Sequence, residues 1–307
     1  MPIFNGRRLN LVCVGEGKPT VLLLSGLGGG TFDWRGVQPE MGKDTRVCAY
    51  DRAGYGFSDP SPEPGDVLHA LLDLRALLHS GRISLPVVLV AHSLSGVYAV
   101  AYAKRYPEDV AAMVLVDPAF TNQSKSIAEA VGPVAAAKLE ASTAGTVSFL
   151  DRCVALAQSG QLSSPAMAAS DCLDNPADPD PDVHRERDRE AKMAGYQRAI
   201  RSEFQNANVV GPDGRTIDDR QSGAIIGDLG AMPLSVLTRG KKGSLSGLSP
   251  TEIESAEAAW REGHDQLAGL SRMGSNELIP DSDHFIQLDH PDAVVERIRS
   301  VLAQAHR

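Results

Sequence analysis

Val87-Val-Leu-Val-Ala-His-Ser93-Leu-Ser-Gly96 decides how this chain is read. Val87 to Val90 form a short continuous apolar run, the pattern of a strand buried on both faces. A helix is expected from about Leu94 to Tyr106, halted before Pro107. Strand and helix meet at a small-x-Ser-x-small turn whose small residues are Ala91 and Ser95. A turn this tight forces the serine into a strained conformation and projects its hydroxyl above the sheet. A strand-to-helix junction can also carry a serine merely as a helix cap, so the flanking sequence has to decide.

Outward from the turn, the pattern repeats. Thr20 to Ser25 and Arg46 to Asp51 are apolar runs ended by Gly26 and by the Arg52-Ala-Gly-Tyr-Gly turn, and Ala112 to Val116 is ended by Asp117-Pro118. Val67, Leu68, Leu71, Leu74, Leu77 and Leu78 fall at helical spacing, with Gly81 as the stop. Strands alternating with helices predict an α/β fold with a mostly parallel central sheet flanked by helices. From Phe120 to Gly230 the strand signal lapses, and helices are expected at Ile127 to Leu139 and at about Val183 to Gln205. Asn175 to Asp182, with its repeated Pro, reads as a loop. Strands return at Pro233 to Thr238 and near Glu277 to Ile279, with helices from Pro250 to Leu270 and after Pro291. The predicted organisation is a core of residues 1–119 and 231–307, interrupted by a helical cap or lid insertion at 120–230.

The serine turn resembles the nucleophile elbow of the α/β-hydrolase superfamily, although Ala91 and Ser95 replace the usual glycines. Three other segments share the resemblance. Leu24-Ser-Gly-Leu-Gly-Gly-Gly30 stands where the family carries its His-Gly-x oxyanion loop, with Ser25 in place of the histidine. Tyr50 to Ser58 is similar to the family's structural Asp-x-x-Gly-x-Gly-x-Ser turn. Ser282 to Pro291 is similar to the segment bearing its catalytic histidine. The matches cover about Leu9 to Pro118 and Met232 to Leu302. The resemblance implies a serine hydrolase with Ser93 as nucleophile, His284 as base, and the backbone amides of Leu27 and Leu94 as oxyanion hole.

The triad acid is harder to place. The family usually carries it after the strand read here as Pro233 to Thr238, but Lys241 and Lys242 stand there. Some members carry the acid one strand earlier, where Asp117 fits; in other relatives an Asp at that strand end is structural. Asp281 and Asp283 rank below it because they are too close to His284 in sequence. Among the eight histidines, His92 is expected to point away from the nucleophile into the packing beneath the elbow, and His69 and His79 to lie at a helix surface or end. His184, His264, His290 and His306 have no partner pattern. The fold implied by the resemblance puts the Cys13 strand beside the Cys48 strand, and Cys153 and Cys172 bracket a short Ser/Ala-rich segment. Two disulfides, Cys13–Cys48 and Cys153–Cys172, are one expectation, and four inert thiols in a cytosolic enzyme the other.

Composition narrows the function. The 307 residues carry a net charge of −9, which disfavours binding to nucleic acid or an anionic membrane. The stretch from Pro86 to Ala103 approaches a membrane span in length, but His92, Ser93, Ser95 and Gly96 interrupt it. The beginning, with Arg7 and Arg8 and a short apolar run from Leu9 to Val14, lacks the core of a signal peptide; the protein is cytosolic as written, or exported if a leader has been left off. No residue set has metal-ligand spacing, and Gly28 to Gly30 is no nucleotide fingerprint, so neither metal nor organic cofactor is expected. The expected substrate is a small carboxylic ester or lactone, cleaved through an acyl-enzyme. Amidase, peptidase, thioesterase or carbon–carbon bond hydrolase activity, or a ligand receptor without turnover, are the alternatives. The oligomeric state is not legible.

Overall fold

Among the described residues seven strands form one sheet in the order β1-β3-β2-β4-β5-β6-β7. They are β1 (Leu11–Val14), β2 (Val21–Leu24), β3 (Val47–Tyr50), β4 (Val87–His92), β5 (Val110–Val116), β6 (Leu234–Arg239) and β7 (Gly274–Ile279). Among these strands β1 runs antiparallel to β3, and the other pairs are parallel. The computed structural model describes residues 6–167, 170–173, 180–243, 245 and 247–305. The α/β class and the mostly parallel sheet agree with the sequence reading.

The helices are α1 (Gln38–Met41), α2 (Val67–Leu78), α3 (Ser95–Arg105), α4 (Gln123–Val131), α5 (Pro133–Gln158), α6 (Pro181–Ala191), α7 (Ala194–Asn208), α8 (Ile217–Gly223), α9 (Pro250–Ala268), α10 (Ile286–Asp289) and α11 (Pro291–Ala305). Alternation along the strands divides the core. Leu22, Leu24, Leu89, Ala91, Met113 and Leu115 pack against α2, α3 and α9, while Val21, Leu23, Val88, Val90, Val114 and Val116 pack against Trp34, α1 and α11. Apolar burial on both faces explains the unbroken hydrophobic runs of the central strands.

Between β5 and β6 the described residues form helices and short 3-10 turns, with no strand. The single helix expected over Ile127 to Leu139 is two, divided at Gly132, which adopts φ 84° before Pro133 opens α5. The helix expected over Val183 to Gln205 is also two, α6 and α7. The Pro-rich loop ends earlier than Asp182: Asp180 caps α6 by accepting from Asp182 N at 2.9 Å, and Pro181 takes the first helical position. Residues 174–179 of that loop, and His306, lie outside the described residues. Helix α8, which periodicity did not reveal, starts on a capping box between Thr216 and Asp219.

These helices rest on the carboxyl ends of the strands. The Asp218 carboxylate of α8 accepts from Val67 N at 3.0 Å, and Gln221 accepts from Leu68 N at 3.0 Å, so α8 satisfies open donors at the start of α2. Tyr196 of α7 donates to the carbonyl of Gly28 at 3.2 Å. Cys13 is bonded to Cys48 across β1 and β3, and Cys153 to Cys172. Both pairings match the expected ones. Among the described residues no helix is long and apolar enough to cross a membrane.

Candidate active site

Ser93 follows β4 directly and has φ 52°, a left-handed conformation that side-chain-bearing residues rarely adopt. Crowding holds it there. A Cβ at Gly26 would come within 2.9 Å of Ser93 Cβ, and one at Gly96 within 2.4 Å of Pro118. Ser95, in place of the family's glycine, is fully buried and uses its hydroxyl as a tie, donating to the carbonyl of Ser25 at 2.5 Å. Ser25 in turn donates to Gly30 O at 2.7 Å and accepts from Trp34 Nε1 at 2.9 Å, which fixes the loop after β2.

His284 lies in the turn between β7 and α10. Its Nε2 is 2.9 Å from Ser93 Oγ and its Nδ1 is 2.6 Å from Asp117 Oδ2. Ser93, His284 and Asp117 therefore form one hydrogen-bonded chain. Among the described residues neither Asp281 nor Asp283 hydrogen-bonds the imidazole; the backbone N–H of Asp283 donates to Asp289 instead.

Asp117 caps β5, with φ 39° and no solvent exposure. Oδ1 accepts from Arg239 N at 3.1 Å and Trp260 Nε1 at 3.0 Å, and Oδ2 from Arg239 Nη1 at 2.9 Å besides His284. Burial alone would raise its pKa, but the His284 bond and the Arg239 charge outweigh that and hold the carboxyl well below the usual range. It is an anion at neutral pH. Arg239 also bonds Glu257 at 2.8 Å, so its charge is shared between two buried carboxylates.

Neither the Leu27 nor the Leu94 backbone N–H donates to a protein acceptor among the described residues, and both residues border the cavity that holds Ser93 and His284. That cavity measures about 240 Å³, and its walls include Val97, Phe120, Phe204 and Trp260. Each of the two amides belongs to a peptide whose carbonyl is anchored. Ser93 O accepts from Gly96 N at 2.8 Å and Ala119 N at 2.9 Å, and Gly26 O from Gly29 N at 3.2 Å and Arg52 Nη2 at 2.8 Å.

Several of these partners were not legible in sequence. Arg239 ends β6, the strand after which the family usually carries its acid, but a cation there gave no reason to connect it with Asp117. Trp260 arrives from α9 with no motif. His92 is buried as expected, and its Nε2 bonds the backbone carbonyl of His284 at 2.8 Å, with its ring centroid 4.7 Å from that imidazole. Burial and the nearby His284 push its pKa down to about 3, so it stands against His284 as a neutral ring. His264, without a sequence partner, lies between Thr238 Oγ1 at 2.7 Å and Pro118 O at 2.8 Å.

Comparison with known proteins bears on this geometry. The sequence model described as the alpha/beta hydrolase family matches residues 21–297. The chain belongs to the alpha/beta hydrolase family. Among curated relatives, this chain is 33% identical over 116 residues to the uncharacterized protein YbdG of Bacillus subtilis, covering 37% of this chain and 35% of that protein. It is 32% identical over 117 residues to a cis-3-alkyl-4-alkyloxetan-2-one decarboxylase of Shewanella oneidensis (37% and 36%), and 34% over 120 residues to a 2-hydroxy-6-oxo-2,4-heptadienoate hydrolase of Pseudomonas putida (38% and 43%). The aligned segments thus span well under half of each of these relatives. A thermophilic esterase from Thermogutta terrifontis superposes with a TM-score of 0.63 at 18% identity, covering 99% of this chain and 96% of that one. The epoxide hydrolase CorEH does so at 0.67 and 19%, covering 99% and 97%. At such identities the alpha/beta hydrolase fold is what is shared.

Proposed function

We propose that this alpha/beta hydrolase is a serine hydrolase that cleaves a small carboxylic ester or lactone through an acyl-enzyme. The observation that carries the reading is the unbroken chain from Ser93 Oγ through His284 to Asp117, at 2.9 and 2.6 Å. Ser93 Oγ attacks the acyl carbon while His284 Nε2 takes its proton, and Asp117 holds the imidazole and stabilises its cation. The carbonyl electron pair moves onto oxygen, where the Leu27 and Leu94 amides receive it; each such donor contributes about 3 kcal/mol in comparable sites. The C–O bond then breaks, the alcohol leaves with the proton from His284, and water activated by the same imidazole releases the acid.

Residues 120–230 act as a cap over this site. Phe204 and Ala207 of α7 already wall the cavity beside Ser93. A dehalogenase or epoxide hydrolase of this fold uses an aspartate nucleophile, and the elbow here carries serine, which favours acyl transfer. Incubation with a fluorophosphonate probe and a chain-length series of p-nitrophenyl esters tests the reading. Wild type should label and turn over, favouring short acyl chains because the cavity is small. Ser93→Ala should do neither while keeping its Tm, since the hydroxyl contributes little packing. Failure of both labelling and turnover in folded wild type would leave a binding protein instead.

A further inference from the structure

Arg52 is buried, with 6% exposure, and every one of its five N–H donors is used. Nε and Nη2 bond the two oxygens of Glu203 at 2.8 Å each, Nη1 bonds Ser25 O and, at 2.9 Å, Ser95 Oγ, and Nη2 also bonds Gly26 O at 2.8 Å. Glu203 belongs to α7 and is itself held by Tyr55 OH at 2.7 Å. One guanidinium therefore joins the loop after β2, the serine elbow and the helix that walls the cavity.

The peptide geometry gives this joint a consequence. The carbonyl of Gly26 and the N–H of Leu27 belong to one planar trans peptide and point in opposite directions. Fixing the oxygen fixes the direction of the N–H. A cation donating to that oxygen also polarises the peptide, which makes its N–H a stronger donor. We propose that Arg52, oriented by Glu203 of α7, is a positioning residue that aims and strengthens the Leu27 amide as an oxyanion donor, so that seating of α7 sets the catalytic competence of the loop. This rests on the hydrolase reading of Ser93 and Leu27 given above. Stability does not account for the pair, because a buried ion pair generally contributes no more than apolar residues of the same size. What apolar residues cannot supply is a planar fork that grips two successive carbonyls.

That difference defines the test. The double variant Arg52→Met/Glu203→Met replaces both charges together and should keep its Tm near that of wild type. With p-nitrophenyl acetate its kcat should fall by about 30-fold or more while KM moves by less than about threefold, because an oxyanion donor acts in the transition state. Affinity for an alkyl trifluoromethyl ketone, which forms an oxyanion adduct with serine, should fall in parallel. Arg52 also lines a larger cavity of about 690 Å³, so guanidinium ion can reach the vacated place. In Arg52→Gly at millimolar guanidinium, kcat should recover in part, a response that a merely structural role would not give. Should the double variant fail to fold, Arg52→Lys, which keeps the charge opposite Glu203 but loses the fork, should show the same kcat-specific loss. A folded variant with kcat within about threefold of wild type, or a loss confined to KM, overturns the proposal. Wild type inert toward probe and esters would instead strike the hydrolase reading itself.

Discussion

A carboxylate that accepts four hydrogen bonds, faces a guanidinium and is closed off from water has one stable form, and Asp117 has all three properties. Asp117→Asn offers one oxygen and one amide where the site requires two acceptors. The oxygen satisfies Trp260 and Arg239 N, which turns the amide donors toward His284 Nδ1. The imidazole is then held with its proton on Nε2 and cannot take the serine proton. The expected outcome is a fall in kcat of about 10³- to 10⁴-fold with little change in KM, measured on the ester that wild type prefers. A variant retaining a tenth of wild-type activity would remove Asp117 from the mechanism. Ser93, His284 and Asp117 could each be singled out in sequence because each ends a recognisable segment. Arg52, Glu203, Arg239 and Trp260 could not. Their relevance comes from long-range contacts, such as the 151 residues between Arg52 and Glu203, and no local pattern encodes those.

At the scale of elements, the strands were the most legible because burial on both faces leaves unbroken apolar runs. The helices between β5 and β6 were blurred because half-exposed faces dilute the period, and Gly132 and Met193 divide what reads as continuous. Helix α8 was missed although Thr216-Ile-Asp-Asp219 is a capping signature, since its seven residues are too few for periodicity. This short helix carries an unusual acid. Burial and the charges of Asp66, Glu203 and Asp219 raise Asp218 to about 8, and the bond from Val67 N only partly opposes them. The folded chain therefore binds a proton here that the unfolded chain releases near pH 4, so this group costs stability progressively as pH rises through the window up to about 8. Glu190, raised to about 7, acts in the same sense. His92 and His264, pushed down to about 3 and about 4, act oppositely and lower stability as pH falls below their ordinary 6.5. Asp218→Asn keeps an acceptor for Val67 and cannot ionise. Its Tm should exceed that of wild type at pH 8.5 by about 3 °C, equivalent to about 2 kcal/mol, and by much less at pH 5, in calorimetric scans. An equal difference at both pH values would place the proton elsewhere.

For the whole molecule, two covalent ties add to the packing of the core. Cys13–Cys48 secures the edge strand β1, and Cys153–Cys172 joins α5 to the 3-10 turn over Asp171–Leu173. The spans of 35 and 19 residues give loop-closure contributions of about 4 and about 3 kcal/mol. Oxidised protein should titrate no free thiols among the four cysteines, and full reduction should lower Tm markedly. Cys153→Ala/Cys172→Ala should lose the smaller part of that shift and Cys13→Ala/Cys48→Ala the larger. An unchanged Tm after verified reduction would contradict both assignments.

The order of the site along the chain governs when the proposed activity can arise during synthesis. Ser93, Asp117 and the two proposed oxyanion amides all precede residue 120, whereas His284, the proposed base, comes 191 residues after Ser93. At about 5–20 residues per second, a ribosome needs about 10 s at the least to add that interval. The helices that wall the cavity are made within it. On the proposed mechanism, a nascent chain thus carries its serine without a base until the wall is complete, and the last reacting group to emerge is the one that makes the serine reactive.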